Sequence, residues 1–485
     1  GAFCYNVEYS QKKGGGGMRA RAFRRFAAPA AALMLLLGGC SMDVDMLLQP
    51  PVAQGEQQGV QAALETYIRD SGKTGARYTL RYPSEGEHTS AFVLCDDYGV
   101  PVGGGWQRPS IALAFYSLSA TPDKTHVNLL RRDGEEWISM GDLGELGAEI
   151  LQVAFADLDG DGIQEVLTGW DTYNLRDHRL AVLSIADELR VISDDRMYSR
   201  MVTGAFDAGR PDRLLLLRIA GADEVTATLT GIENDVFSTI AAARLDGRIT
   251  QFVGTTPCKL SERLTGLYVD ASVGGGSLVT ELLYYDGRTL CAPFYDPRTN
   301  TTPTTARRLG LTVCDIDGDG QPEIPFPTLL PGYGETEEVP SYGFATSWRN
   351  YSAASGEWTE KQYTIVNVPD SYIVTLSQER RAGVTTAYEP STRTLSLTRT
   401  DGSAAWLRLQ CSADPMQEYF AGDPDEKVTF SVLYEPTGDR PGLAAWFDED
   451  VLDIAQVRYM VSRIDPDMNI QQIQNLTPAA QTVHR

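Results

Sequence analysis

The sequence predicts a mainly β protein assembled from repeated four-stranded units, and three observations predict it. Gly is frequent, 46 of 485 residues, which marks many short turns and argues against a helical bundle. From about Arg77 the apolar residues fall in short runs of strand length. A strand leading into a loop marked by aspartate then recurs near residues 97, 157, 207, 270 and 315, at intervals of 60, 50, 63 and 45. Four strands joined by tight turns within about 45 residues make one blade of a β-propeller. The expected architecture is therefore a β-propeller of repeated four-stranded blades over 76–372, with five units countable, and a small C-terminal α+β domain over 373–466. A stacked sandwich satisfies the same pattern.

Each element has a local reason. Val60, Leu64, Tyr67 and Ile68 share one face of a short helix that Gly72 and Gly75 end, and 40–75 reads as a tether plus this helix. The clearest unit has a strand at Gln152–Phe155, an acidic loop at Asp157–Glu165, and strands at Val166–Trp170, Arg179–Ile185 and Leu189–Ile192. Its closest copy runs from Leu311–Cys314 into Asp315–Glu323. Weaker copies are Ala91–Asp97 before Ile111–Tyr116, Val202–Asp207 before Leu214–Ile219, and Gly266–Asp270 before Leu278–Tyr285. Beyond Tyr372, strands are expected at Thr394–Thr398, Trp406–Leu409 and Val428–Tyr434. Ile454, Val457, Val461 and Ile464 mark a helix stopped before Pro466, and 467–485 reads as a polar tail.

Composition narrows the function. With 42% hydrophobic and 22% charged residues the chain reads as globular. Its 42 basic against 65 acidic residues, net −23, argue against a nucleic-acid binder, which needs clustered Lys and Arg. The apolar run Phe26–Gly39 follows Arg19, Arg21, Arg24 and Arg25 and falls short of the roughly 20 residues of a membrane span, so it reads as a signal-peptide core. Leu37-Gly38-Gly39-Cys40 resembles a bacterial lipobox, which implies diacylation of Cys40; an ordinary signal peptide with a chance Cys is the alternative. Met18 reads as the natural start. Lys12-Lys13 and the four glycines after it look like a translated ribosome-binding site, making 1–39 a mistranslated leader plus lipoprotein signal peptide. Removing those 39 residues, six of them basic and one acidic, leaves 446 residues and a charge of −28. The expected location is the bacterial cell envelope, anchored by lipid on the extracytoplasmic face of the membrane.

Candidate catalytic features are sparse. His88, His126, His178 and His484 are scattered and read as surface or turn residues, and no Gly-x-Ser-x-Gly elbow accompanies them. Gly103–Gly105 and Gly274–Gly276 lack the Lys of a phosphate loop and read as turns. Cys95, Cys258, Cys291, Cys314 and Cys411 are odd in number with no CxxC spacing, which argues against a disulfide framework and a zinc site. The tryptophans read mostly as blade packing.

The acidic loops carry the specific chemistry. Asp157, Asp159 and Asp161 alternate, Gly162 follows, and Glu165 stands ninth; Asp315, Asp317, Asp319 and Glu323 repeat the order. Calcium takes six to eight oxygens, so a short loop must turn sharply to aim alternate carboxylates at one point, and Gly permits that turn. The backbone carbonyls of Ile163 and Gln321 are placed to complete each shell. Four like charges within nine residues repel unless a cation or protons neutralise them. An acidic Asx/Gly turn without an ion is the alternative.

Phe155-Ala156-Asp157-Leu158-Asp159-Gly160-Asp161-Gly162 with Glu165 resembles the VCBS/FG-GAP repeat of integrin α-subunit propellers and many secreted bacterial proteins. The resemblance is strong over the two loops, weaker over 77–372 and absent beyond. It implies two Ca2+ sites, one from Asp157, Asp159, Asp161, Ile163 and Glu165, the other from Asp315, Asp317, Asp319, Gln321 and Glu323. It also implies a propeller that binds or scaffolds, and names no ligand. The expectation is a lipid-anchored, non-enzymatic module for a protein or glycan partner, with the membrane as its other partner. The alternative is an anchored hydrolase of extracellular polysaccharide using propeller-face carboxylates.

Overall fold

The computed structural model describes residues 55–71, 77–102, 108–172, 176–206, 211–308, 310–334, 339–412, 428–438 and 440–464. The expected leader, signal peptide, Cys40, its tether and the polar tail lie outside these residues, as do Gly103–Gly105, Asp207 and His484. Among the described residues the chain is mainly β, with two α-helices, and no helix is long and apolar enough to cross a membrane.

Among the described residues six antiparallel sheets follow one another along the chain. The first holds β1 (Tyr78–Leu80), β2 (Phe92–Cys95), β3 (Ile111–Leu118), β4 (Thr121–Asp133) and β5 (Glu136–Gly147), with β1 and β2 sharing one edge of β3. The second is the meander β6 (Ile150–Ala156), β7 (Glu165–Trp170), β8 (His178–Ser184) and β9 (Arg190–Tyr198). The third is β10 (Arg200–Gly204), β11 (Arg213–Gly221), β12 (Glu224–Glu233) and β13 (Val236–Arg244). The fourth is β14 (Gln251–Lys259), β15 (Thr265–Gly274), β16 (Ser277–Tyr285) and β17 (Leu290–Cys291). The fifth holds β18 (Ile324–Leu329), β19 (Phe344–Ser352), β20 (Glu357–Asn367) and β21 (Tyr372–Thr375). The sixth holds β22 (Val384–Glu389), β23 (Thr394–Arg399), β24 (Leu407–Ser412), β25 (Val428–Tyr434) and β26 (Gly442–Asp448). A last strand, β27 (Val461–Arg463), returns to pair with β21.

Period-two alternation decides which neighbour each face meets. In β3, Ile111, Leu113 and Phe115 pack on Val166 and Trp170 of the second sheet. The alternate residues Ala112, Ala114 and Tyr116 pack on Val60 and Leu64 of helix α1 (Glu56–Asp70). Leu214 and Leu216 face Leu167 and Leu180 of the second sheet, while Leu215 and Leu217 face Leu267 and Val269 of the fourth. Tyr268 and Leu282 then meet Ile324 and Phe326 of the fifth sheet, and Ile365 and Val374 meet Leu395 and Leu409 of the sixth. Among the described residues the apolar clusters thus join each sheet to the next. Strands buried on both faces read as unbroken apolar runs, as Leu214–Leu217 does.

Several expectations shift. The region read as a small α+β domain over 373–466 contains the sixth sheet and a helix, and its first residues lie in β21 of the fifth sheet, which takes β27 from the far side. The expected C-terminal helix is shorter: α2 (Ile454–Met460) starts at the Asp453/Gln456 capping box, and the β-branched Val461 leaves it to pair with Val374. Asp270, read as the aspartate opening a repeat loop, lies within β15 opposite Thr280. It is buried, 2% exposed, in an ion pair at 2.7 Å with the equally buried Arg307. His126 is buried in β4 and not on the surface: its ring stacks on Tyr116 and its Nδ1 lies 2.6 Å from Asp142. Cys314 is buried, as a small hydrophobe is expected to be.

Trp170 is fully buried between the first two sheets, donating to Thr168 at 2.9 Å. Gly147 makes room for it, since a Cβ there would stand 2.7 Å from the indole. Trp170→Ala is expected to lower unfolding stability by about 3–5 kcal/mol in urea denaturation. Arg307→Met leaves the Asp270 carboxylate buried without its partner and is expected to cost about as much. Adding Asp270→Asn to Arg307→Met should recover part of that loss, measured the same way.

Candidate metal centres

Two loops of equal length are closed in the same way. Residues 157–164 are closed by the Ala156–Glu165 pair that joins β6 to β7. Residues 315–322 are closed by a bridge between Cys314 and Glu323, whose N–H groups donate to each other's carbonyls at 3.3 and 2.8 Å. Strands flank both loops on the C-terminal side, at β7 and β18. Alternate glycines turn the backbone with positive φ, 83° and 90° at Gly160 and Gly162 and 75° and 83° at Gly318 and Gly320.

The carboxylates first organise the loops themselves. Asp157 accepts from the N–H groups of Gly160 (2.6 Å) and Gly162 (3.1 Å), and Asp315 from those of Gly318 and Gly320 (both 2.8 Å). Ile163 and Gln321 occupy matching places, each donating its N–H to the aspartate two residues before it. Glu165 accepts from Leu158 at 2.8 Å and Glu323 from Ile316 at 3.0 Å, tying the glutamate that follows each loop to the loop's second residue.

Carboxylate oxygens of Asp157, Asp159 and Glu165 converge within 4.8 Å of one another, and those of Asp315, Asp317 and Glu323 do the same. Asp161 and Asp319, expected as ligands, stand outside these groups. Glu323 is fully buried, and its Oε1 has no hydrogen-bond partner although it belongs to the convergent group. An oxygen-only donor set with one desolvated, half-unsatisfied carboxylate suits a hard divalent cation. Each loop therefore holds residues that could bind a metal.

The electrostatics agree. Burial, opposed by the backbone N–H bond and reinforced by the loop aspartates, pushes both Glu165 and Glu323 up to about 7. Asp159 is raised by burial and by the charges of Asp161, Asp157 and Asp235. Asp319 moves the other way, lowered first by the hydrogen bond from Lys361 on β20. Lys361 Nζ lies 2.5 Å from Asp319 and 3.9 Å from Asp317.

Both loops touch a neighbouring sheet. Asp212 and Ile232 of the third-sheet region donate to the carbonyls of Asp157 and Leu158 at 2.9 and 3.2 Å. The Lys259 N–H of the fourth sheet reaches Gln321 at 3.3 Å, and Val313, just before the second loop, donates to Asp270 at 2.8 Å. Lys361 and Asp235 escape sequence reasoning, because each comes from another element and no local spacing ties it to its loop.

The pH response follows from the raised acids. A carboxyl whose pKa rises from 4.5 unfolded to about 7 folded holds its proton more tightly in the native state. Its stabilising effect is complete below the unfolded value and is lost as pH climbs through about 7. Metal-free protein is therefore expected to lose melting temperature between pH 5 and pH 8, and Glu165→Gln with Glu323→Gln should flatten that slope. An unchanged slope in the double variant would count against this origin.

No family model matches the chain, and no curated protein sequence matches it. Among solved structures it is similar to the exotype rhamnogalacturonan lyase YesX, at 12% identity over 67% of this chain and 69% of that one, with a TM-score of 0.27. It is also similar to Chaetomium thermophilum Sqt1, at 12% identity over 70% of this chain and 92% of that one, with a TM-score of 0.25. Similarity at that level bears on neither fold family nor chemistry.

Proposed function

We propose that this protein is a calcium-stabilised binding or scaffold module. The six sheets are successive blades of a propeller of the VCBS/FG-GAP type, with α1 covering a face of the first blade. The observation that carries the reading is the matched pair of loops, alike in length, closure, glycine placement and convergent carboxylates. Calcium is the favoured ion because it accepts many oxygens in flexible geometry, whereas magnesium prefers to keep several waters. When bound, the ion would supply charge neutralisation and hold the loop fixed. Asp157, Asp159 and Glu165 would hold the first, and Asp315, Asp317 and Glu323 the second.

Lipidation of Cys40 would place the module on the extracytoplasmic face of a bacterial membrane, where a protein or glycan partner is reached. The scarcity of His-based or nucleophilic motifs supports binding over hydrolysis.

Chelation is expected to lower the melting temperature of the full chain by several degrees and added calcium to restore it, followed by circular dichroism. Asp159→Ala combined with Asp317→Ala should reproduce the chelated value and abolish the calcium response. A melt indifferent to both chelator and calcium would overturn the calcium reading.

A further inference from the structure

Resting on the calcium reading, we infer that the two loops are unequal sites that fill in order, the first tightly and the second weakly, with Lys361 as the built-in cation that lowers the affinity of the second. The loops match internally, so a difference must come from what each faces. The second faces a cation. Lys361 is carried by β20, 42 residues beyond Asp319 in sequence, and its Nζ contacts Asp319 and lies within 4.0 Å of Asp317. Asp317 belongs to the convergent group, so a divalent ion there sits within a few ångströms of a fixed positive charge.

Among the described residues the first loop faces the opposite sign. Its Asp157 and Leu158 carbonyls are bonded to Asp212 and Ile232, which brings it against the β12–β13 hairpin. The turn of that hairpin is Asn234-Asp235, with φ of 52° and 61°, a two-residue connection in which both central residues are left-handed. Asp235 is near enough for its charge to act on Asp159. The first site therefore has a further negative charge near it from the next sheet, and the second has a lysine beside Asp319 and within 4.0 Å of its own Asp317.

Glu323 Oε1 makes the second loop a site and not merely an internally paired cluster. Lys361 contacts the two aspartates, while Oε1 of the buried Glu323, a residue of the convergent group, has no partner. The lysine offsets the exposed aspartates and leaves the interior ligand for an ion that must work against it. A single positive charge about 5 Å from a divalent ion in high dielectric changes affinity by roughly tenfold.

The test is a calorimetric titration of the chelator-stripped full chain with calcium chloride. The expected result is two binding events separated by roughly tenfold or more, the tighter lost in Asp159→Asn and the weaker in Asp317→Asn. Lys361→Met is expected to tighten the weaker event by roughly tenfold, and Lys361→Gln, which keeps a polar tip, should do the same. Asp235→Asn should weaken only the tighter event. Two events of equal affinity, or an affinity indifferent to both Lys361 variants, would overturn the inference and leave the calcium reading intact. No binding at either loop would instead remove the calcium reading itself.

Discussion

The constraint on which this structure depends is that its inner sheets are apolar on both faces. A strand such as β3 or β11 sends alternate side chains into two different clusters, so neither face can be left to solvent without exposing a row of Leu, Ile or Phe. Each inner sheet therefore requires two neighbours, and short connections make the previous and next sheets the nearest available ones. Helix α1 follows from the same demand: Val60, Leu64 and Ile68 cover the first-sheet face that the second sheet does not reach. Backbone pairing shapes the sheets, and side-chain alternation stacks them.

A second device recurs within that stacking. Buried carboxylates accept backbone N–H groups from the segments that link or flank the sheets: Glu165 from Leu158, Glu323 from Ile316, Asp270 from Val313, and Glu281 from Asp246. A short loop cannot satisfy its own N–H groups with a ladder, and a desolvated acid forms a strong acceptor at a fixed point. The four cases resolve the cost of the buried charge differently. Arg307 pairs with Asp270, while burial pushes Glu281, like Glu165 and Glu323, up to about 7. The acidic loops belong to this pattern and add exposed aspartates around the buried acid.

Local signals were legible in the sequence. The meander β6 to β9 lies within a few residues of its expected strands, because alternation and glycine turns act over a handful of residues. The two loops were visible for the same reason, the spacing of their carboxylates, although spacing also placed Asp161 and Asp319 in the groups they stand outside. Pairings made at a distance were not visible. Val461 continues a helical apolar spacing, yet it becomes strand because the edge of β21, some 87 residues earlier, offers it a partner. Asp270 carries the spacing of a loop aspartate, and Arg307 makes it an interior ion pair. His126 reads as an isolated polar residue until Tyr116 and Asp142 enclose it. Lys361 and Asp235 follow the same rule, since a side chain brought by another strand leaves no mark beside the loop it faces.

The first and the sixth sheets are covered in different ways. A helix of about four turns covers one face of the first sheet, with Tyr78 held by Gln61 and Glu65. At the carboxy-terminal end the sixth sheet is clamped by chain that has already passed it: α2 contributes Val457 and Met460 to its cluster, and β27 goes back to the fifth. That return works as a latch, because the last sheet cannot peel away while β27 remains zipped to β21. Fraying from that end must therefore begin with three residues, Val461–Arg463, and not with the sheet they secure.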